Sequence, residues 1–103
     1  ILHCAVGLDN KVYCWGLDAL GSGSFGTGGT GIRWFAERQP ALLGTGFEAQ
    51  KVFVGPENAC ALNSLGNAKC WGNNTAGQFG HGDLEPRNEV TELGDALEFI
   101  GQK

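Results

Sequence analysis

Methionine is absent from this 103-residue sequence, proline occurs only three times and lysine plus arginine only seven. So few bases cannot line a phosphate backbone with a continuous positive stripe, and nucleic acid is not an expected partner. No run of about 18 apolar residues exists, so no membrane-spanning helix is expected. A basic-then-apolar leader and a starting methionine are both missing, which reads as a processed chain or a fragment. Catalytic groups are equally sparse. The two histidines, His3 and His81, stand far apart with no third ligand type clustered beside either, and no serine lies in a nucleophile-elbow setting. Gly21-Ser22-Gly23-Ser24-Phe25-Gly26 has the letters of a dinucleotide loop but no helix signal after it. Neither an enzyme nor a cofactor is expected.

Glycine is abundant, with 18 residues and no three-residue period. That usage implies tight turns between short strands, because glycine reaches positive φ without a steric penalty. The net charge of −4 is unevenly placed: Asp83, Glu85, Glu89, Glu92, Asp95 and Glu98 share their stretch with one base, Arg87. A solvated face accounts for such a run.

The sequence contains a copy of itself. Cys4, Cys14, Trp15 and Gly16 return 56 residues later as Cys60, Cys70, Trp71 and Gly72, and Phe25, Gly26 and Gly28 return 54 residues later as Phe79, Gly80 and Gly82. A period near 50 means that one supersecondary unit is duplicated, and such a unit cannot bury its apolar face alone.

Within each copy two short runs flank a turn and read as a β-hairpin. In the second copy Ser64-Leu65-Gly66 forms a three-residue loop with its glycine at the left-handed position. That register sets Cys60 opposite Cys70. In the first copy Leu8-Asp9-Asn10 does the same with asparagine in glycine's place, and sets Cys4 opposite Cys14. Opposed antiparallel residues lie about 4.5–5.5 Å apart at Cα, within the span of a disulfide. Disulfides Cys4–Cys14 and Cys60–Cys70 are therefore expected, which favours an oxidising compartment, secreted or the lumen of an organelle. In a reducing one the same pairs would remain thiols in the core. A zinc site suits them poorly, because nine-residue gaps are not the spacing of zinc-knuckle ligands.

Trp15, Trp71, Phe25 and Phe79 are expected to form the core between packed sheets. Asn73-Asn74-Thr75 is a glycosylation sequon, which matters only if the chain is secreted. The copies differ most at residues 29–39, a loop insertion of about eight extra residues carrying Ile32, Arg33, Trp34 and Phe35. Insertions in repeat proteins map to loops on one face, and Trp and Arg dominate binding hot spots. These four residues are the candidate partner-binding segment; the alternative is that Trp34 and Phe35 fold back over an open edge.

Cys60-Ala61-Leu62, Gly66, Trp71-Gly72, Asn74 and Gly77-Gln78-Phe79-Gly80 resemble the repeat of the regulator of chromosome condensation family, in its cysteine-containing variety. Cys4-Ala5-Val6, Tyr13-Cys14-Trp15-Gly16 and Phe25-Gly26-Thr27-Gly28 resemble it again, departing at Gly7 and in the longer loop around Gly21-Ser22-Gly23-Ser24. The resemblance implies an all-β chain of antiparallel four-stranded blades from a β-propeller, about two blades here. Residues 1–39 would be a partial blade with the insertion at 29–39, residues 40–85 a full blade, and residues 86–103 the first strand of a further blade. Two blades cannot close a ring, so a free monomer is not expected and other protein subunits are.

Members of the family include a nucleotide exchange factor, a plant ultraviolet-B receptor and a secreted β-lactamase inhibitor, so the fold does not select an activity. The photoreceptor's Gly-Trp-Arg-His-Thr motif is absent, since Gly31-Ile32-Arg33-Trp34 has another order. The expectation is a non-enzymatic interaction or scaffold module. It would be a fragment of a longer propeller or an accessory subunit of a larger complex, an organellar or photosynthetic one included. The alternatives are a secreted, disulfide-bonded inhibitor or adhesion module and an exchange-factor-like regulator.

Overall fold

The computed structural model describes residues 2–18, 25–28, 31–35, 38–55, 58–72, 93–97 and Phe99. Within them six strands run in chain order: β1 (Leu2–Val6), β2 (Val12–Asp18), β3 (Gly31–Arg33), β4 (Ala49–Val54), β5 (Asn58–Asn63) and β6 (Ala68–Gly72), followed by a 3-10 turn at Gly94–Ala96. They form two three-stranded antiparallel sheets, β1-β2-β3 and β4-β5-β6. The described part of the chain is all-β.

The two hairpins are built alike because their turns solve the same problem. In β5–β6 the amide of Gly66 donates to the carbonyl of Asn63 (3.2 Å), and Gly66 takes φ +86°. In β1–β2 the amide of Asn10 donates to the carbonyl of Gly7 (3.0 Å), and Asn10, at φ +62°, is the one described non-glycine residue in the left-handed region. Asparagine tolerates that conformation better than most side chains. The resulting registers place Cys4 opposite Cys14 and Cys60 opposite Cys70. Both pairs are disulfides.

Each hairpin has a cystine face and a tryptophan face, since side chains alternate along a strand. Leu2, Cys4 and Val6 of β1 and Val12 and Cys14 of β2 lie on the first sheet's cystine face and pack into the core. In the second sheet the tryptophan face turns to that core instead, through Ala59 and Ala61 of β5 and Trp71 of β6. A bulge between Ala49 and Lys51 shifts the register of β4 by one residue. That shift brings Ala49 to the core side, where it is fully buried, while Lys51 and Phe53 share the face of Leu62 and Cys60. The two repeats therefore stack front to back: the cystine face of one meets the tryptophan face of the next.

The connector between the sheets is hydrogen-bonded at both ends. Ala41 donates to Val12 (2.8 Å), and Ala49 donates to Asn10 (2.9 Å) while the Asn10 side-chain amide donates to the carbonyl of Ala49 (3.2 Å). The turn of the first hairpin is thereby fastened to the start of β4. Phe25, Leu43, Leu93 and Leu97 complete the core.

Two expectations need correction. Residues 29–39 are not simply a looped insertion: Gly31–Arg33 form β3, which extends the first sheet by pairing Leu17 with Ile32. A β-branched residue beside the open edge of β2 gains ladder hydrogen bonds there that a loop would forgo. Trp15 is also not in the core. Register puts it with His3 on the first sheet's tryptophan face, where it is half-buried, whereas its repeat partner Trp71 is fully buried. Phe79 and Asn73 lie outside the described residues, as do all of residues 86–103, where a strand is expected, except 93–97 and Phe99, of which Gly94–Ala96 form a 3-10 turn.

Candidate functional site

The tryptophan face of the first sheet carries a group of solvent-accessible aromatic and charged side chains. Its floor is set by strand alternation: Ala5 stands opposite Tyr13 and His3 opposite Trp15, with Leu17 opposite Ile32 further along. The rings of His3 and Trp15 stack with centroids 5.9 Å apart, and Phe35 meets Trp15 edge-on at 4.9 Å. Such an edge contact contributes about 0.5–1.5 kcal/mol beyond its buried area. Phe35 thus folds back over the sheet, yet it remains 53% exposed.

Arg38 closes the side of this cluster. Its guanidinium lies 4.1 Å from the centroid of the Phe35 ring and 5.8 Å from that of Tyr13, and its Nη1 donates to the carbonyl of Phe35 (2.9 Å). Across the groove the Tyr13 hydroxyl donates to Asp9 Oδ2 (2.6 Å), while Asp9 Oδ1 accepts from the amide of Lys11 (3.1 Å). The hydroxyl and the amide both stabilise the carboxylate and hold its pKa below the ordinary aspartate value. The same bond pushes the Tyr13 phenol above its usual 10.0, because losing its proton would set two negative charges together. Asp9, Tyr13, Trp15, Phe35 and Arg38 line an open groove of about 700 Å³, with Ala5 at its floor. The groove combines apolar surface, one cation and one anion, which suits recognition of a protein surface.

The four expected partner-binding residues divide between two faces. Ile32 lies on the groove side of the sheet and is 61% exposed, and Phe35 forms the wall of the groove. Arg33 points the other way. Its guanidinium sits 4.8 Å above the ring of Phe25 and its Nη1 donates to Thr27 Oγ1 (2.7 Å), so it braces the sheet. Trp34 is exposed beyond β3. Tyr13, Asp9 and Arg38 were missed by sequence reasoning. The available signal was strand alternation, which sets Tyr13 and Trp15 on one face, but nothing in the sequence places Arg38 over that face.

A second polar cluster joins the last described turn to the connector between the two sheets. Asp95 accepts from the amide (2.6 Å) and the hydroxyl (3.1 Å) of Thr45, and these two bonds, the amide first, lower its pKa. Lys69 is buried beside it and donates to the carbonyl of Leu43. Burial lowers the lysine's pKa, and the Asp95 carboxylate partly opposes that shift. Its ammonium also lies 5.4 Å from the rings of both Phe47 and Phe99. Every member of this cluster has a structural partner, so it reads as a clamp. Among the described residues no group of three or more His, Cys, Asp or Glu side chains could hold a metal ion. No described helix is long and apolar enough to cross a membrane.

The model of the regulator of chromosome condensation (RCC1) repeat matches residues 49–78, which take in β4, β5 and β6. Residues 49–78 are an RCC1-type repeat. The crystal structure of human WBSCR16 is similar over 95% of this chain, with a TM-score of 0.57 and 15% sequence identity. At that identity the likeness is one of fold alone. The chain covers 22% of the length of the WBSCR16 chain. The RCC1 match falls on the second hairpin, whose tryptophan face is covered by the first sheet, and the groove lies on the preceding, related hairpin.

Proposed function

We propose that this chain is a non-enzymatic protein-interaction or scaffold module, a segment of a longer β-propeller or an accessory subunit docked in a larger complex. The observation that carries this reading is the front-to-back stacking of the two repeats. Trp71 is covered by the first repeat, and the equivalent Trp15 lies at a groove edged by Phe35 and Arg38. A face that is core in one copy is solvent-facing in the other, and exposed apolar surface of this kind marks a contact.

The strand pairings support four-stranded blades. The first sheet holds the hairpin plus the strand after it, and the second holds the hairpin plus the strand before it. Superposing β1–β2 on β5–β6 through the 56-residue repeat yields one four-stranded antiparallel unit. On this reading residues 1–39 are a partial blade, 40–85 a blade, and 86–103 the start of another.

The native mass of the particle holding this chain, followed by cross-linking from Lys11 and Lys51, tests the proposal. Cross-links to other polypeptides, or to further blades of one longer polypeptide, are expected. A free, soluble 10.8 kDa monomer in its native setting would overturn it.

The two disulfides favour a second reading, a secreted inhibitor or adhesion module, because such bonds persist in oxidising compartments. Intact mass decides between them: oxidised cysteines together with a glycan at Asn73 support secretion, and four free thiols without one oppose it.

A further inference from the structure

Each three-stranded sheet has two edges, and the repeat assigns a neighbour to one edge of each. The edge of β1 is the position that β4 fills beside β5 in the second sheet, and the edge of β6 is the position that β3 fills beside β2 in the first. The edges of β3 and β4 are left as the borders of the four-stranded unit. The faces of the sheets are different, because a further repeat covers them wherever the sequence continues. A border edge presents a row of backbone N–H and C=O groups, and proteins blunt such rows with bulges, prolines and lysines.

Of these two borders, β4 is blunted and β3 is not. β4 has the bulge between Ala49 and Lys51, and the lysine is exposed. β3 pairs with β2 without a break in register and contains neither proline nor lysine. Its one charged side chain, Arg33, is turned in over Phe25 and bonded to Thr27 Oγ1. That bracing fixes β3 without using its outer edge, so a partner strand would meet an edge already ordered. Gly31 has no side chain to hold another backbone away. Among the described residues no strand pairs with this edge.

We propose, resting on the interaction-module reading, that the outer edge of β3 takes up an extended segment of a partner protein as an added strand. A second copy of this chain is the poorer occupant. Three residues supply only about 10 Å of strand, far less contact than two folded surfaces need for a stable interface. An extended peptide follows the edge and also reaches the exposed Ile32 and Trp34 side chains. A β-branched residue beside Ile32 would continue the apolar row that Leu17 and Ile32 begin, and basic side chains suit a chain of net charge −4.

The probe is an end-labelled octapeptide of alternating valine and lysine, titrated with the purified chain by fluorescence anisotropy. Saturable binding is expected. A copy of the peptide methylated on its four central amides keeps every side chain and charge but cannot donate to the edge, and it should bind at least about tenfold more weakly. Ile32→Lys gives β3 the blunting that β4 has and should weaken the unmethylated peptide by about the same factor. Amide hydrogen exchange locates the contact, with added protection expected in Gly31–Arg33 and none in β1, β4 or β6. No saturable binding, equal binding of the methylated peptide, or protection at another strand overturns the proposal. So does a peptide-free chain that dimerises through Gly31–Arg33, which would make a second copy the occupant. A chain that binds no peptide but cross-links to other polypeptides in its native particle overturns this inference and leaves the interaction-module reading standing.

Discussion

A Cβ placed on Gly26 would lie 2.9 Å from Nε1 of Trp71, and 2.8 Å from Cβ of Ala41. Gly26 belongs to the first repeat and Trp71 to the second, so this is a tight contact between the two repeats at a fully buried ring. Gly26 also has φ +73°, a conformation that costs other residues energy. Gly26→Ala is therefore expected to destabilise the chain by at least about 2 kcal/mol, from overpacking and backbone strain together. Urea denaturation followed by tryptophan fluorescence measures this. A loss below about 0.5 kcal/mol, the range of neutral surface changes, would mean that the tight packing is not needed.

The two equivalent tryptophans should respond unequally to the same substitution. Trp71 is fully buried, and truncating a buried aromatic to alanine costs about 3–5 kcal/mol. Trp15 is held mainly by its contacts with Phe35 and His3, and Trp15→Ala is expected to cost about 1 kcal/mol. Equal losses in thermal or urea unfolding would contradict the front-to-back stacking, which makes one ring core and leaves the other at the surface.

The contrast between those rings also marks how far the sequence is legible. Hairpin registers follow from local turn chemistry, so Asn10 and Gly66 in the left-handed region and the opposition of each cysteine pair could be read from residue order. Burial is a different matter. Trp15 and Trp71 share the same Cys-Trp-Gly setting but depend on whether another repeat covers them, and no local signal carries that information. Likewise, Gly31–Arg33 look like loop until the free edge of β2 is available for pairing. The groove was half legible, through Ile32 and Phe35, while Arg38 enters it by a chain path that residue spacing does not encode.

Tyr13 is the sole tyrosine of the chain, so phenolate absorbance during an alkaline titration reports on it alone. Its hydrogen bond to Asp9 predicts an apparent pKa above 10.0. Asp9→Asn removes the neighbouring charge and should bring the titration back toward 10.0. A raised phenol pKa stabilises the fold below the unfolded value, and that contribution is lost as pH rises through the folded pKa. Wild-type stability should accordingly fall more steeply than that of Asp9→Asn above pH 10. Identical phenolate titrations in the two proteins would show that the bond does not persist in solution.

At acid pH the clamp between Thr45 and Asp95 should govern the opposite limb. The folded pKa of Asp95 is depressed below its usual 3.8 by the Thr45 amide and hydroxyl, with a smaller contribution from the Lys69 ammonium. A depressed carboxyl contributes stability that is present above the unfolded pKa and disappears as pH falls through the folded one. Protonation of Asp95 weakens both bonds to Thr45, and with them the hold of the Gly94–Ala96 turn on the segment that leads into β4. Asp95→Asn is expected to lower stability at neutral pH and to flatten its decline below pH 3.8, so that the two proteins converge in strong acid. The check is the urea midpoint measured from neutral pH downward. Parallel curves for wild type and Asp95→Asn would remove Asp95 from the acid response. Convergence would assign part of that response to a bond between residues 45 and 95, which ties the last described turn to the connector between the two sheets.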